Sequence, residues 1–210
     1  MGRHKGYDRV RVLDKALALF HRQGFSATST QQLVEYLGIN RNSLYSEFGT
    51  KQQLFEAALT RYDETVVAQN FGPLEVSDGG AAEIRSLFKL FAADASGPGR
   101  GVGCILCNAA VERAPLDAGS AKLVERYIKR ICRAFGNALS NSGLRPGVDM
   151  LAEANFFTAS VLGIAVMVRA NASPAQVRSA CRAAIEHLEM LLTSTPRPPS
   201  TPPRRSALAP

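Results

Sequence analysis

Apolar residues recur every three or four positions through Val12, Leu13, Ala16, Leu17, Leu19 and Phe20, with charged and polar residues between them. That period belongs to an amphipathic helix, and Gly24 ends it as a C-terminal glycine does. A short second helix carries Leu33, Val34 and Leu37 on its apolar face and stops at Gly38, and any of Thr28, Ser29 or Thr30 can cap its start. Asn40 caps a third short helix that runs to Phe48. Gly49 and Thr50 separate it from a fourth, which begins near Lys51, carries Leu54, Phe55, Ala58, Leu59 and Tyr62, and reaches about Gln69. Two short helices joined by a glycine turn predict a helix-turn-helix.

The rest of the chain repeats the helical period over 80–95, 102–113, 118–140, 148–170 and 174–192, with breaks at 96–101, Pro115, 141–147 and 171–173. No strand-like alternation competes, so the fold class is all-α. The most apolar run, 154–168, is interrupted by Asn155, Thr158 and Ser160 and flanked by Glu153 and Arg169. At 15 residues it falls short of the roughly 20 that a bilayer crossing needs, so it reads as a buried helix with no membrane partner. Asp8, Arg9, Arg11, Asp14 and Lys15 interrupt any apolar core behind the charged N-terminus, which removes a signal peptide and predicts a cytoplasmic protein.

A chain of 210 residues holds one helical domain or a small domain of about 60 residues joined to a larger one. It is too short for a full barrel or a two-domain enzyme. The net charge of +7 is concentrated at the ends: +3 over residues 1–63, +1 over 64–193 and +3 over 194–210. A basic excess of this kind points to a polyanionic partner. Residues 194–210 are proline-rich and basic, cannot build a core, and read as a disordered tail that either touches nucleic acid weakly or does nothing.

Catalytic signatures are missing: no serine elbow, no paired histidine and carboxylate motif, no phosphate-cradling loop and no nucleotide fingerprint. The chain therefore reads as a non-enzyme with no catalytic residues and no cofactor. Four cysteines are too few and too scattered to staple a secreted fold. Cys104 and Cys107 form a lone CxxC with neither a second pair nor a nearby histidine, the histidines being His4, His21 and His187, so no metal site is expected. Redox chemistry at the cysteines stays open.

The stretch 40–45, NRNSLY, has what a major-groove helix needs: short side chains, phosphate donors and groups that read base edges. On a helix beginning at Arg41, the side chains of Arg41, Asn42 and Ser43 sit at the exposed N-terminal turn while Leu44 and Phe48 point into the core. Arg41 suits a bidentate contact to guanine, Asn42 one to adenine, and Tyr45 a phosphate. Thr28 and Ser29 at the second helix and Lys51 at the fourth would flank the groove with further phosphate donors, or simply cap helices.

The segment 24–59, GFSATSTQQLVEYLGINRNSLYSEFGTKQQLFEAAL, resembles the DNA-binding domain of the TetR family of bacterial transcriptional regulators. The resemblance is carried by Gly24 and Phe25, the hydroxyl pair Thr28 and Ser29, Gly38, Leu44 and Tyr45, then Phe48, Gly49, Lys51, Leu54 and Phe55. It implies that Tyr45 and Lys51 contact phosphates, that Thr28 contacts the backbone, and that Arg41, Asn42 and Ser43 lie in or against the major groove. The sequence departs from the family at Asn42, where a small residue is common, and at Glu47, whose carboxylate the phosphate backbone would repel.

A looser resemblance covers the C-terminal helices, which in the family bind an effector and dimerise through the last two. It implies a DNA-binding domain over 1–50, an effector-binding and dimerisation domain over 51–193 and the tail over 194–210. The implied partners are double-stranded DNA, a second copy of the chain and a small hydrophobic or amphipathic effector. The apolar residues Phe156, Phe157, Val161, Leu162, Ile164, Ala165 and Val168 surround most of one late helix, and Ala159, Ser160 and Gly163 permit close helix approach. Such a dimer reads two half-sites of a palindromic operator.

The segment 101–112, GVGCILCNAAVE, resembles the sixth helix of a TetR subgroup. Cys104, Asn108 and Glu112 fall one turn apart on one face, predicted to line the pocket, with Cys107 as a further candidate. Asn108 either meets a ligand or satisfies a neighbouring helix. Cys104 is either inert packing or a redox or electrophile sensor, its thiol acidified by the helix N-terminus. The reading is a homodimeric, ligand-released repressor, against the alternatives of a sensor acting through Cys104 and a helical module that binds protein instead of DNA.

Overall fold

The structure, a computed structural model, describes residues 7–193, so the tail expected over 194–210 lies outside the described residues. Those residues are helical with no strand among them. The elements are α1 (Arg9–Gln23), α2 (Thr30–Leu37), α3 (Arg41–Phe48), α4 (Lys51–Tyr62), α5 (Ala68–Glu75), α6 (Ala81–Asp94), α7 (Ile105–Glu112), α8 (Ala118–Ser140), α9 (Met150–Arg169) and α10 (Pro174–Leu191). The all-α reading holds, and the helix ends follow from local chemistry.

Asp8, Ser29, Asn40, Thr50, Asp117, Asp149 and Ser173 each cap a helix through a side-chain oxygen that accepts a backbone N–H of the first turn. Such caps stabilise a helix by about 1 kcal/mol each. Of the three hydroxyls that could have capped α2, Ser29 does so, in a reciprocal capping box with Gln32.

Two segments depart from the sequence reading. The fourth helix does not stop near Gln69 but passes through a π-helical turn, Asp63–Val67, into α5. Thr65 donates its hydroxyl to the Arg61 carbonyl at 2.7 Å inside that turn, a pairing that bends helices. Pro73 cannot donate to the carbonyl four residues back, yet buried Phe71 and Leu74 hold α5 in place. Arg130 on α8 fastens the stretch by binding both Asp63, at 3.2 Å, and Glu75, at 2.6 Å. The seventh helix begins at Ile105 rather than at position 102, because Gly101 and Gly103 take φ values of +77° and +68°, outside the right-handed helix region.

The core runs unbroken from the first helices to the last. Around α1 to α4 it centres on Phe20, which meets Phe55 edge to face at 5.1 Å. Further along, Phe71, Phe88, Phe135 and Phe157 from α5, α6, α8 and α9 form one aromatic cluster with centroid separations of 5.5 to 6.3 Å. Aromatic pairs in this range add about 0.5–1.5 kcal/mol each beyond the area they bury.

The expectation of a buried apolar helix needs correction at α9. Ala154, Phe157, Thr158, Val161 and Ile164 face the core, but Leu151 is 68% exposed, Phe156 42% and Val166 52%. At 20 residues α9 is long and apolar enough to cross a membrane by length and composition alone. The 15-residue estimate missed this because it stopped at the flanking charges. One face of α9 is sufficient to complete this chain's core, and the other stays apolar and uncovered.

Candidate nucleic-acid interface and effector cavity

α3 owes its position to Leu44 and Phe48, which are buried, and to Asn40, whose Oδ1 accepts the Ser43 amide at 2.8 Å. That anchoring leaves Arg41 and Asn42 exposed, Ser43 half-buried and Tyr45 exposed, all on or beside the first turn of α3. The Arg41 guanidinium lies 5.9 Å from the Tyr45 ring centroid. Hydrogen bonds from Thr30 first, and then Arg41, hold the Tyr45 phenol below its usual range. The tyrosine is thereby tied to α2 while still facing solvent.

Ser29 is exposed at the α2 N-terminus. Thr28 is not: it is fully buried, and its hydroxyl donates to the Gly24 carbonyl at 2.6 Å, so it closes the turn instead of presenting a phosphate donor. Lys51, in the first turn of α4, lays its Nζ 4.1 Å from the Phe25 ring centroid, and burial is the first cause holding its ammonium below the usual range. Glu47 is shielded in a way the sequence did not reveal. Arg9 donates to it at 2.9 Å and Tyr7 at 3.3 Å, so its charge is compensated before any phosphate approaches.

A cavity of about 300 Å³ lies between α4, α5, α6, α8 and α9, beside the turn that leads into α7. Its wall is mostly apolar, with Phe71, Phe91, Val161 and Ile164, and its polar groups are Tyr62, Asn70, Asp94, Cys104 and Tyr127. Burial, first among the causes, keeps the Tyr62 and Tyr127 phenols protonated well above their usual range. Cys104 Sγ sits 3.7 Å from the Tyr127 hydroxyl. No group of three or more His, Cys, Asp or Glu converges among the described residues.

Of the four predicted pocket residues, Cys104 alone reaches this wall. Cys107 is buried but does not line the cavity, and Asn108 turns back to donate to the Val102 carbonyl at 3.1 Å, which satisfies the loop ahead of α7. Glu112 sits at the other end of α7, where its carboxylate accepts the backbone amides of Phe25 at 3.1 Å and Ser26 at 2.7 Å. The prediction treated the helical face as one surface. Because α7 starts late and runs away from the cavity, one end of that face meets the pocket and the other meets the turn between α1 and α2.

Several contacts at this junction escaped the sequence reading. Arg113 places its guanidinium 4.1 Å from the Phe25 ring centroid and donates to Gln52 at 2.7 Å. His21 Nε2 donates to the Gly103 carbonyl at 2.7 Å, and Arg169 donates to the Arg22 carbonyl at 3.1 Å. Tyr62 was visible only as part of an apolar stripe, and Tyr127 carried no signal at all.

The sequence matches the family model described as bacterial regulatory proteins, tetR family, over residues 12–58. The uncharacterized HTH-type transcriptional regulator YezE of Bacillus subtilis (strain 168) is 36% identical over 139 residues, which span 66% of this chain and 72% of that protein. The HTH-type transcriptional repressor ComR of Escherichia coli (strain K12) is 28% identical over 177 residues, covering 82% of this chain and 84% of its own. In fold, the chain is similar to a cysteine-substituted form of the TetR family regulator CifR solved with 26-base-pair operator DNA: the TM-score is 0.77 at 21% identity, over 88% of this chain and 98% of that one. The helix-turn-helix is thus a DNA-binding one, the protein-docking alternative falls away, and this chain belongs to the TetR family of DNA-binding transcriptional regulators.

Proposed function

We propose that this regulator is a repressor that binds a palindromic operator as a homodimer and leaves it when a small hydrophobic or amphipathic molecule fills the cavity. The observation that carries the reading is the path of α7: its N-cap Cys104 forms cavity wall, and its C-terminal Glu112 holds the turn between α1 and α2. A ligand that binds one setting of this helix better than the other biases the orientation of the DNA-binding helices, whereas equal affinity for both would shift nothing.

On the operator, Arg41, Asn42 and Ser43 would enter the major groove, and Ser29, Tyr45 and Lys51 would bind phosphates, with Thr28 supporting the turn from inside. The uncovered apolar face of α9, with Leu151, Phe156 and Val166, supports pairing with a second copy, since this surface is costly to leave in water. The division into 1–50, 51–193 and 194–210 is kept as the organisation, with α4 serving both folded parts. A cytoplasmic location accords with a partner that is chromosomal DNA.

The test is selection of bound duplexes from a random DNA pool, repeated with Arg41→Ala and Tyr45→Ala. A two-fold-symmetric motif lost in both variants is expected. Absence of enrichment across several salt concentrations would overturn the ligand-released repressor. The position of Cys104 on the cavity wall beside Tyr127 favours a second reading, in which the signal is a redox change or electrophile at that thiol instead of a reversibly bound ligand.

A further inference from the structure

Cys104 and Cys107 occupy special positions on α7. Cys104 is the N-cap and Cys107 the third residue of an eight-residue helix, so both sit at its first turn, where the backbone amides lack intrahelical partners. The helix repeat puts Cα atoms three residues apart at roughly 5 Å, inside the window a disulfide needs. The Cys104 sulfur also lies 3.7 Å from the Tyr127 hydroxyl at the cavity wall. The two cysteines are not equivalent, since Cys104 lines the cavity and Cys107 is buried away from its wall.

Their surroundings separate their protonation as well. Interaction with Cys107, the largest cause, holds the Cys104 thiol below its usual range against the opposing effect of burial, and the hydroxyls of Tyr127 and Tyr62 add to it. The same contact, with burial, keeps the proton on Cys107. A cavity-lining thiolate with a protonated thiol one turn away is the division of labour between an attacking and a resolving thiol.

We propose that Cys104 and Cys107 form a peroxide-reactive dithiol that closes to a disulfide, with a hydroperoxide of apolar organic chain as the oxidant the cavity admits. This rests on the second reading above and deepens it by naming the reagent and the resolving group. The Cys104 thiolate attacks the terminal oxygen of the hydroperoxide; an S–O bond forms, the O–O bond breaks, and the alkoxide takes a proton and leaves as the alcohol. Cys107 then attacks the Cys104 sulfur, an S–S bond forms, and the sulfenic oxygen leaves as water with the Cys107 proton. Two thiols and one hydroperoxide thus give one disulfide, one alcohol and one water.

The residue before Cys104 carries the consequence outward. A Cβ at Gly103 would lie 2.7 Å from the Ala165 carbonyl and 3.1 Å from Arg169 Cβ, so this turn has no slack against α9. Its carbonyl is the group that receives the His21 hydrogen bond from α1. Closing a disulfide one residue away redirects that carbonyl and loosens the junction with the DNA-binding helices.

The full chain, reduced and bound to its selected operator duplex, is treated with cumene hydroperoxide and digested with trypsin. Cleavage after Arg100 and Arg113 leaves both cysteines on one peptide, 101–113. The expected product is that peptide lighter by about 2 Da, restored by dithiothreitol. Cys107→Ser should instead stop at a Cys104 sulfenic acid trapped by dimedone, and Cys104→Ser should leave Cys107 unoxidised. Dimedone trapping in the unaltered chain as complete as in Cys107→Ser, or no oxidation of the peptide at doses that consume free cysteine, overturns the proposal. Operator affinity read in parallel separates the two claims. A disulfide without loss of affinity keeps the dithiol and sinks the sensor reading, whereas loss of affinity with a lasting sulfenic acid keeps the sensor and sinks the dithiol.

Discussion

The Glu112 carboxylate accepts the Ser26 backbone amide at 2.7 Å across 86 residues of chain, which fastens the end of α7 to the turn between α1 and α2. Its second oxygen accepts the Phe25 amide, and a Cβ at Gly24 would approach that oxygen to 3.0 Å, so the turn is closely fitted around the carboxylate. Gly24 also has φ +87°, which a side chain would strain.

Glu112→Ala should destabilise the chain by about 1 kcal/mol at neutral pH, a charge-assisted pair of bonds discounted for its partial exposure. Burial raises the Glu112 pKa, but the amides of Ser26 and Phe25 outweigh it and hold the carboxyl below its usual value. A lowered folded-state pKa gives stability that is present above the unfolded value near 4.5 and lost as pH falls through the folded one. Thermal unfolding of the two proteins should therefore differ at pH 7 and converge as the pH falls through the folded-state value.

His21 adds a second acid-sensitive contact at the same junction. Burial lowers its pKa against the opposing hydrogen bond to Gly103, and the nearby Arg169 charge adds a smaller lowering, so the neutral ring is the folded form. Its contribution is complete above the unfolded value near 6.5 and is lost as pH falls below it. Denaturant unfolding of His21→Gln should show a flatter stability profile than the parent between about pH 6.5 and pH 5.

Arg41 and Lys51 should fail differently on DNA. Arg41→Ala is expected to weaken operator binding by about 1–3 kcal/mol and to relax preference at one base position. Lys51→Gln is expected to weaken binding to all duplexes alike and to lower the salt dependence by about one counterion per phosphate contact. Titrations at three salt concentrations separate the two.

Phe156 and Phe157 are neighbours with opposite predicted roles. Phe157→Ala opens a cavity in the aromatic cluster and should cost about 3–5 kcal/mol in denaturant unfolding. Phe156→Asp places a charge on the uncovered face of α9. Sedimentation should show a monomer with unchanged helical content and no binding to the two-fold operator.

The helices of the DNA-binding part were legible because each is short, ends in glycine and starts at a residue that caps its own backbone. Gly24, Gly38, Ser29, Asn40 and Thr50 act within four residues of themselves, and local chemistry of that range is written in order along the chain. The exposed set Arg41, Asn42 and Tyr45 followed from it, since burying Leu44 and Phe48 leaves the first turn of α3 facing outward.

Elsewhere, helical period told which residues share a face without telling what the face meets. Cys104, Asn108 and Glu112 do lie along α7 at one-turn spacing, but only Cys104 borders the cavity, because left-handed Gly101 and Gly103 delay the helix and aim it at another part of the molecule. Thr28 looked like a surface hydroxyl until the turn folded over it, and Glu47 looked like an uncompensated charge until Arg9 and Tyr7 reached it across some 40 residues. Pattern and capping determined the helices of the DNA-binding part and the exposed first turn of α3, since hydrogen bonds within one turn decide both. The cavity, the junction at Phe25 and the bare face of α9 arise from contacts between residues distant in the chain, and only packing in three dimensions sets those.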